Sequence, residues 1–217
     1  MLRKVLIVAA AVAMPVSVVG ATAGSASAGA PKVDATHYTV SCTGISAKAS
    51  FSPALTNAGG PVSNEATKIS GKASSCTVTP TAGGTPVTVT GASIKGTIND
   101  ATSSHTCGGL AMATTETGSL TIKWKTSPKL TSSTSVVNPT SVSGAVGGDG
   151  HATFSISFGT ATSGPFQGTD NGTSSSTNAE TTTTVTSILA TCGGKSGLKS
   201  ISIQPNANGG GPAIVVS

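Results

Sequence analysis

Between Gly118 and Thr126 the chain reads GSLTIKWKT, placing Leu120, Ile122 and Trp124 at alternate positions with Thr121, Lys123 and Lys125 between them. Successive side chains of an extended strand point to opposite faces, so this period of two gives one apolar and one polar face. HATFSISFG repeats it with Phe154, Ile156 and Phe158. β-Branched residues dominate HYTVSCTG with ISAKASF, ATKISGKA with SCTVTP, PVTVTGASIKGTIN, TTTTVTSILAT, GLKSISIQ and PAIVVS, and each reads as a strand or a pair of strands. The first pair breaks near Thr43-Gly44, and the long third run is one strand or two bent at Gly91 and Gly96. No stretch beyond the N-terminus carries a helical period. Turn-forming clusters recur every eight to fifteen residues or so, as in an antiparallel sandwich or barrel. The expectation is an all-β fold, an antiparallel β-sandwich or barrel of about 8–10 strands.

The N-terminus has a different character. Arg3 and Lys4 precede the uncharged run VLIVAAAVAMPVSVVG, and Ala26-Ser27-Ala28 offers an Ala-x-Ala cleavage site. Residues 1–28 therefore read as a secretory signal peptide and 29–217 as one secreted β-domain. The apolar run is too short for a lasting membrane span, and GGGPAIVVS at the C-terminus suggests no second anchor. No transmembrane helix is expected in the mature chain, whose location reads as extracytoplasmic, at or near the cell envelope.

Four cysteines in an exported chain point to disulfides, and four allow three pairings. Cys42 with Cys76 would join two early neighbouring strands. Cys107 with Cys192 would tie the middle of the chain to its last third, and both of these precede two glycines. These two pairings are favoured. Chain-entropy arguments assign such loops about 4 and about 4.6 kcal/mol.

Charge narrows the partners. Ten lysines against seven acids leave residues 29–217 at +3, with no arginine among them. The lysines are scattered along the sequence and aromatics are 3% of the chain. Nucleic-acid binders cluster their cations and interleave aromatic platforms, so nucleic acid is excluded as the expected partner.

Motifs for chemistry fail one by one. Gly194-Lys195-Ser196 resembles the end of a phosphate-binding loop, but the required first glycine would fall at Leu189, and a strand pattern follows instead of a helix. It reads as a cysteine-anchored turn into a strand. Asp149 stands two residues before His151 without a nucleophile elbow, and reads as a hairpin turn. His105-Thr106-Cys107 lacks further metal ligands. No pair of carboxylates stands out for sugar hydrolysis, and Asp149 and Asp170 lack the graded ladder of a calcium loop. No catalytic residue, metal or cofactor is expected. Trp124 is expected to cover the open edge of the core. The longest loop is read over residues 159–180, with Phe166, Asp170 and Asn171 as its candidate binding residues, because loops on rigid sheets commonly carry recognition.

The signal ending ASA, the four spread cysteines and Gly/Thr-rich strands such as GASIKGTIN and GSLTIKWK resemble small exported all-β proteins of unknown function from high-GC Gram-positive (actinobacterial) bacteria. That resemblance implies an exported β-fold and brings no functional residues with it. The leading functional expectation is a non-enzymatic binding or interaction module whose partner is an envelope component. The alternatives are a barrel carrying an apolar ligand, an oligomeric envelope pore and, last, a hydrolase built on Asp149 and His151.

Overall fold

A computed structural model of the chain describes residues 38–58, 66–80, 86–100, 106–111, 114–159, 161–166 and 175–216. The signal-peptide reading of residues 1–28 and the candidate residues Asp170 and Asn171 lie outside these. Ten strands form one antiparallel sheet: β1 (Tyr38–Leu55), β2 (Ala66–Pro80), β3 (Thr88–Asp100), β4 (Thr114–Ser127), β5 (Thr134–Val137), β6 (Pro139–Val146), β7 (His151–Phe158), β8 (Ser175–Thr184), β9 (Leu198–Pro205) and β10 (Ile214–Val216). A 3-10 turn, Cys107–Ala111, and one helix, α1 (Val185–Cys192), complete the chain.

The sheet closes on itself. Its order is β10-β1-β2-β3-β4-β6-β7-β8-β9, and β1 pairs β9 to complete a ring. Ten strands fill eight positions in that ring. β5 and β6 lie end to end against β4, at Leu120–Lys123 and Thr114–Thr115. β9 and β10 lie end to end against β1, at Ala47–Leu55 and Val40–Cys42. The gap between β9 and β10 is bridged by a loop pinned to β8: Glu180 accepts from Gln204 and from the Ala207 N–H, and Asn178 donates to the carbonyls of Gly209 and Gly211. Closure removes the unpaired backbone groups that an open sheet would present.

Alternation decides which way each side chain points. On β4, Glu116, Leu120, Ile122 and Trp124 are buried while Thr115, Thr117, Ser119, Thr121, Lys123 and Lys125 are exposed. The interior is mainly apolar and the exterior of β1–β4 mainly Ser, Thr and Lys, the inverse of a membrane-spanning barrel with its apolar outer band. Two buried clusters occupy the interior. One gathers Tyr38, Val40, Leu120, Trp124, Phe166 and Val216, the other Phe51, Leu55, Phe154, Ile188, Leu198 and Ile201, and Ile69 packs against both.

The disulfides are Cys42–Cys76 and Cys107–Cys192. The first joins residues directly opposite each other on β1 and β2. The second joins the 3-10 turn to the end of α1. Disulfides of this kind belong to an oxidising, extracytoplasmic environment.

Several expectations are corrected. The runs expected as strand pairs at the start of the chain are continuous: β1 has 18 residues and β2 has 15, and the break expected near Thr43-Gly44 survives only as a local irregularity opposite Ser75, which has φ 53°. Residues 185–192, expected to extend a strand, are helical. Thr184 caps this helix by accepting from the Ser187 N–H, and Ile188 and Cys192, four apart, turn the same face inward. Tertiary contacts on that face override the weak helix propensity of its β-branched residues. The loop expected over 159–180 is shorter, since β8 begins at Ser175 and Val136 pairs with Ser163. Trp124 is 3% exposed and lies inside the barrel rather than over an edge.

Candidate functional site

Eight positions around a closed β-ring leave an interior that side chains just fill or that holds one small ligand. Which occurs depends on side-chain size along the inward rows. Here the two ends are filled and the middle is not.

At the Tyr38 end, Trp124 and Phe166 meet edge to face, with centroids 5.1 Å apart and planes at 81°. The Trp124 Nε1–H donates to Ser135 Oγ at 2.9 Å, and the Ser135 hydroxyl in turn donates to the Pro165 carbonyl oxygen. This polar chain is wholly interior, since Ser135 and Phe166 are both 0% exposed. At the other end, α1 and the 3-10 turn are tied by Cys107–Cys192, and Ile188, Cys192 and Cys107 pack against Phe154 and Ile201.

Between these ends lies a cavity of about 140 Å³. Members of both clusters line it, among them Phe51, Ile94, Leu120, Phe154 and Ile201. All of the described lining residues are apolar except Thr67, Thr106, Gly109 and Glu116. The volume is close to the ~150 Å³ of an engineered apolar protein cavity that stays dry and takes benzene. Gly109 and Leu110 of the 3-10 turn line the cavity and are themselves half-buried, so the lining approaches the surface beside the Cys107–Cys192 bridge.

Glu116 is the one ionisable residue among the described lining residues. It is 8% exposed and occupies the inward row of β4, in register with Asp100 of β3. Burying a carboxyl in an apolar chamber is costly, and a group that donates to it lowers the cost. The chamber thus has an apolar body and one acidic point near its 3-10 end. The chain matches no family model, no curated protein and no solved structure.

The structure distributes the sequence candidates away from this chamber. Phe166 is core, packed on Trp124 with its backbone at φ 63°. Asp149 accepts the His151 N–H at 3.0 Å with one oxygen and the Asn208 amide at 2.7 Å with the other. The His151 ring bonds the Thr181 carbonyl oxygen through Nδ1 at 2.7 Å, which requires Nδ1 to carry the proton. The carboxylate therefore ties the turn and the β9–β10 loop, and the ring is oriented by a backbone carbonyl instead. Gly194-Lys195-Ser196 forms the turn from α1 into β9. Among the described residues no cluster of His, Cys, Asp or Glu is arranged to hold a metal.

Glu116 escaped the sequence reading although its signal was present. It shares the even-numbered row of Leu120, Ile122 and Trp124, and an acid on the apolar row of a strand marks a polar point in the interior. The cavity itself has no such signal, because its walls come from all eight ring positions.

Proposed function

We propose that this chain is a secreted β-barrel that carries a small apolar molecule in its interior. The observation supporting this is the cavity of about 140 Å³ with an almost wholly apolar lining, in a ring whose two ends are otherwise packed. Drug-sized ligands need about 300–1,000 Å³, so the ligand is smaller: a single ring or a short branched hydrocarbon. Glu116, the acidic point of the described lining, favours a ligand that carries a hydroxyl or amine over a bare hydrocarbon, because a carboxyl accepts hydrogen bonds. Export follows from the signal-peptide reading of residues 1–28 and suits the two disulfides. This reading displaces recognition through Phe166, whose side chain is committed to the core.

Calorimetric titration with benzene and benzyl alcohol tests it. Ala49 is 3% exposed and lines the cavity, so Ala49→Leu fills space there while adding only apolar atoms. The native chain is expected to bind with a Kd on the order of 0.1–1 mM, and the variant to lose at least tenfold while melting cooperatively. A native chain that binds neither compound, or a folded variant that binds both equally well, would sink the proposal.

A further inference from the structure

The lysines that are scattered in the sequence are not scattered on the molecule. Lys48 of β1, Lys68 and Lys72 of β2, Lys95 of β3, and Lys123 and Lys125 of β4 are all exposed on the outer wall. Strand register fixes their neighbours. Across one level of the barrel run Lys48, Ser70, Lys95 and Thr121, and across the next Ser46, Lys72, Ser93 and Lys123. Lys68 stands between Ser50 and Thr97, and Lys48 also faces Ser202 of β9. Every register partner of the six is Ser, Thr or Gly. The result is a checkerboard of ammonium and hydroxyl groups over half the ring.

The spacing of this lattice follows from sheet geometry. Diagonal lysines are about 8 Å apart at the backbone, and lysines two strands apart about 10 Å. No two like charges are directly opposite, which avoids the most unfavourable cross-strand contact. Asp100 ends β3 in register with the inward-row Glu116 of β4, and the other described carboxylates lie away from the lattice: Glu116 lines the interior, and Asp149 and Glu180 belong to the β6–β7 turn and β8, across the ring from β3. The net charge of +3 over residues 29–217 thus conceals a face carrying six positive charges.

We propose that the outer wall of β1–β4 binds a linear phosphodiester polymer with a short neutral spacer between charges. Lysine ammonium groups act as point charges toward phosphate, and the intervening Ser and Thr hydroxyls donate to the remaining phosphate oxygens. A nucleic acid strand carries a charge every ~3.4 Å, denser than this lattice, and is held by stacking platforms and arginine. The lysine face has neither aromatic nor arginine side chains. A bilayer surface is a poorer fit as well. Surface-binding elements bury apolar groups at the lipid boundary, whereas the exposed large hydrophobics among the described residues are Val146 and Leu189, on β6 and α1. A convex wall also meets a flat membrane along a line, while a flexible polymer can follow the curvature. This site is independent of the interior cavity.

Binding of a poly(glycerol phosphate) oligomer, measured by calorimetry across a range of salt, tests the proposal. The full chain is compared with Lys72→Gln/Lys95→Gln, with Lys195→Gln, and on two other anions: a single-stranded oligonucleotide of equal charge and phosphatidylglycerol vesicles. Lys195 is exposed in the α1–β9 turn, away from the lattice. Removing two lattice charges should weaken polymer binding by roughly 25-fold, about fivefold each, and flatten the log K against log salt slope by about 1.4. Lys195→Gln should leave both within about twofold. Absence of polymer binding by the native chain overturns the proposal, as does an equal loss in both variants, which would reduce the effect to net charge. Tighter binding of the native chain to the oligonucleotide or to the vesicles overturns it in favour of that partner. Because every substituted side chain is exposed, cooperative melting at temperatures no lower than that of the native chain is expected throughout and separates lost contacts from lost fold.

Discussion

Ser135 has few atoms and a large structural burden. Its hydroxyl accepts from Trp124 Nε1 and donates to the Pro165 carbonyl oxygen, deep in the barrel's packed end. Neither partner has water to turn to if that hydroxyl goes. Ser135→Ala is therefore expected to cost about 1–3 kcal/mol for each buried polar group left unmet, read as a lowered urea midpoint at unchanged slope. Trp124 is the only tryptophan, so its fluorescence reports the event without a label. Gly96 makes the complementary point. A Cβ there would fall 2.8 Å from the Leu120 Cα and overlap the Ser119 carbonyl, so β3 and β4 approach closely only because the side chain is absent.

At the scale of elements, α1 and the 3-10 turn behave as one lid. An eight-residue helix is not stable alone, and α1 is held by Ile188, Cys192 and the bond to Cys107. Replacing Cys107 and Cys192 by Ala should lower global stability by up to about 4.6 kcal/mol. It should also raise amide hydrogen exchange in 107–111 and 185–192 well before β1–β4 respond. Uniform loss of protection would mean the lid is not a separate unit. The lid also marks where sequence reasoning reached its limit. Leu120, Ile122 and Trp124 advertise their strand through period-two spacing, and Cys42 and Cys76 each sit in one of a pair of neighbouring strand patterns. Val185–Cys192 advertises nothing, because its β-branched residues favour strand locally and only partners distant in sequence make it helical. The short strands β5 and β6, around Asn138-Pro139, lacked the length for a clear alternation and were not anticipated. Glu116 was legible in principle and the cavity was not, since a void is a property of the closed ring rather than of any one strand.

At the scale of the molecule, the lysine wall stores repulsion. Two unit charges about 8 Å apart in water repel by about 0.5 kcal/mol before screening, and the lattice contains several such pairs. Stability should therefore rise by about 1–2 kcal/mol between about 0.01 M and 1 M salt, as the Debye length falls from 30 to 3 Å. Chemical denaturation with urea, which is uncharged, at fixed pH measures this directly. The charge-reduced Lys72→Gln/Lys95→Gln variant should respond less. A stability that falls with salt would show that attractive pairs outweigh the lattice.

Ring closure also decides where the ends of the barrel chain lie. Val40, near the start of β1, pairs with Val216 of β10, so both termini of the barrel emerge side by side at the Trp124 end. The lid and the Glu116 chamber face the opposite way. A fluorescent protein, an affinity handle or a surface tether joined at either terminus would leave the chamber pointing outward, and a short linker across Tyr38 and Val216 would permit circular permutation at a turn such as Gly147–Gly150. The topology makes this barrel a natural cassette, with its attachment points at one pole and its container at the other.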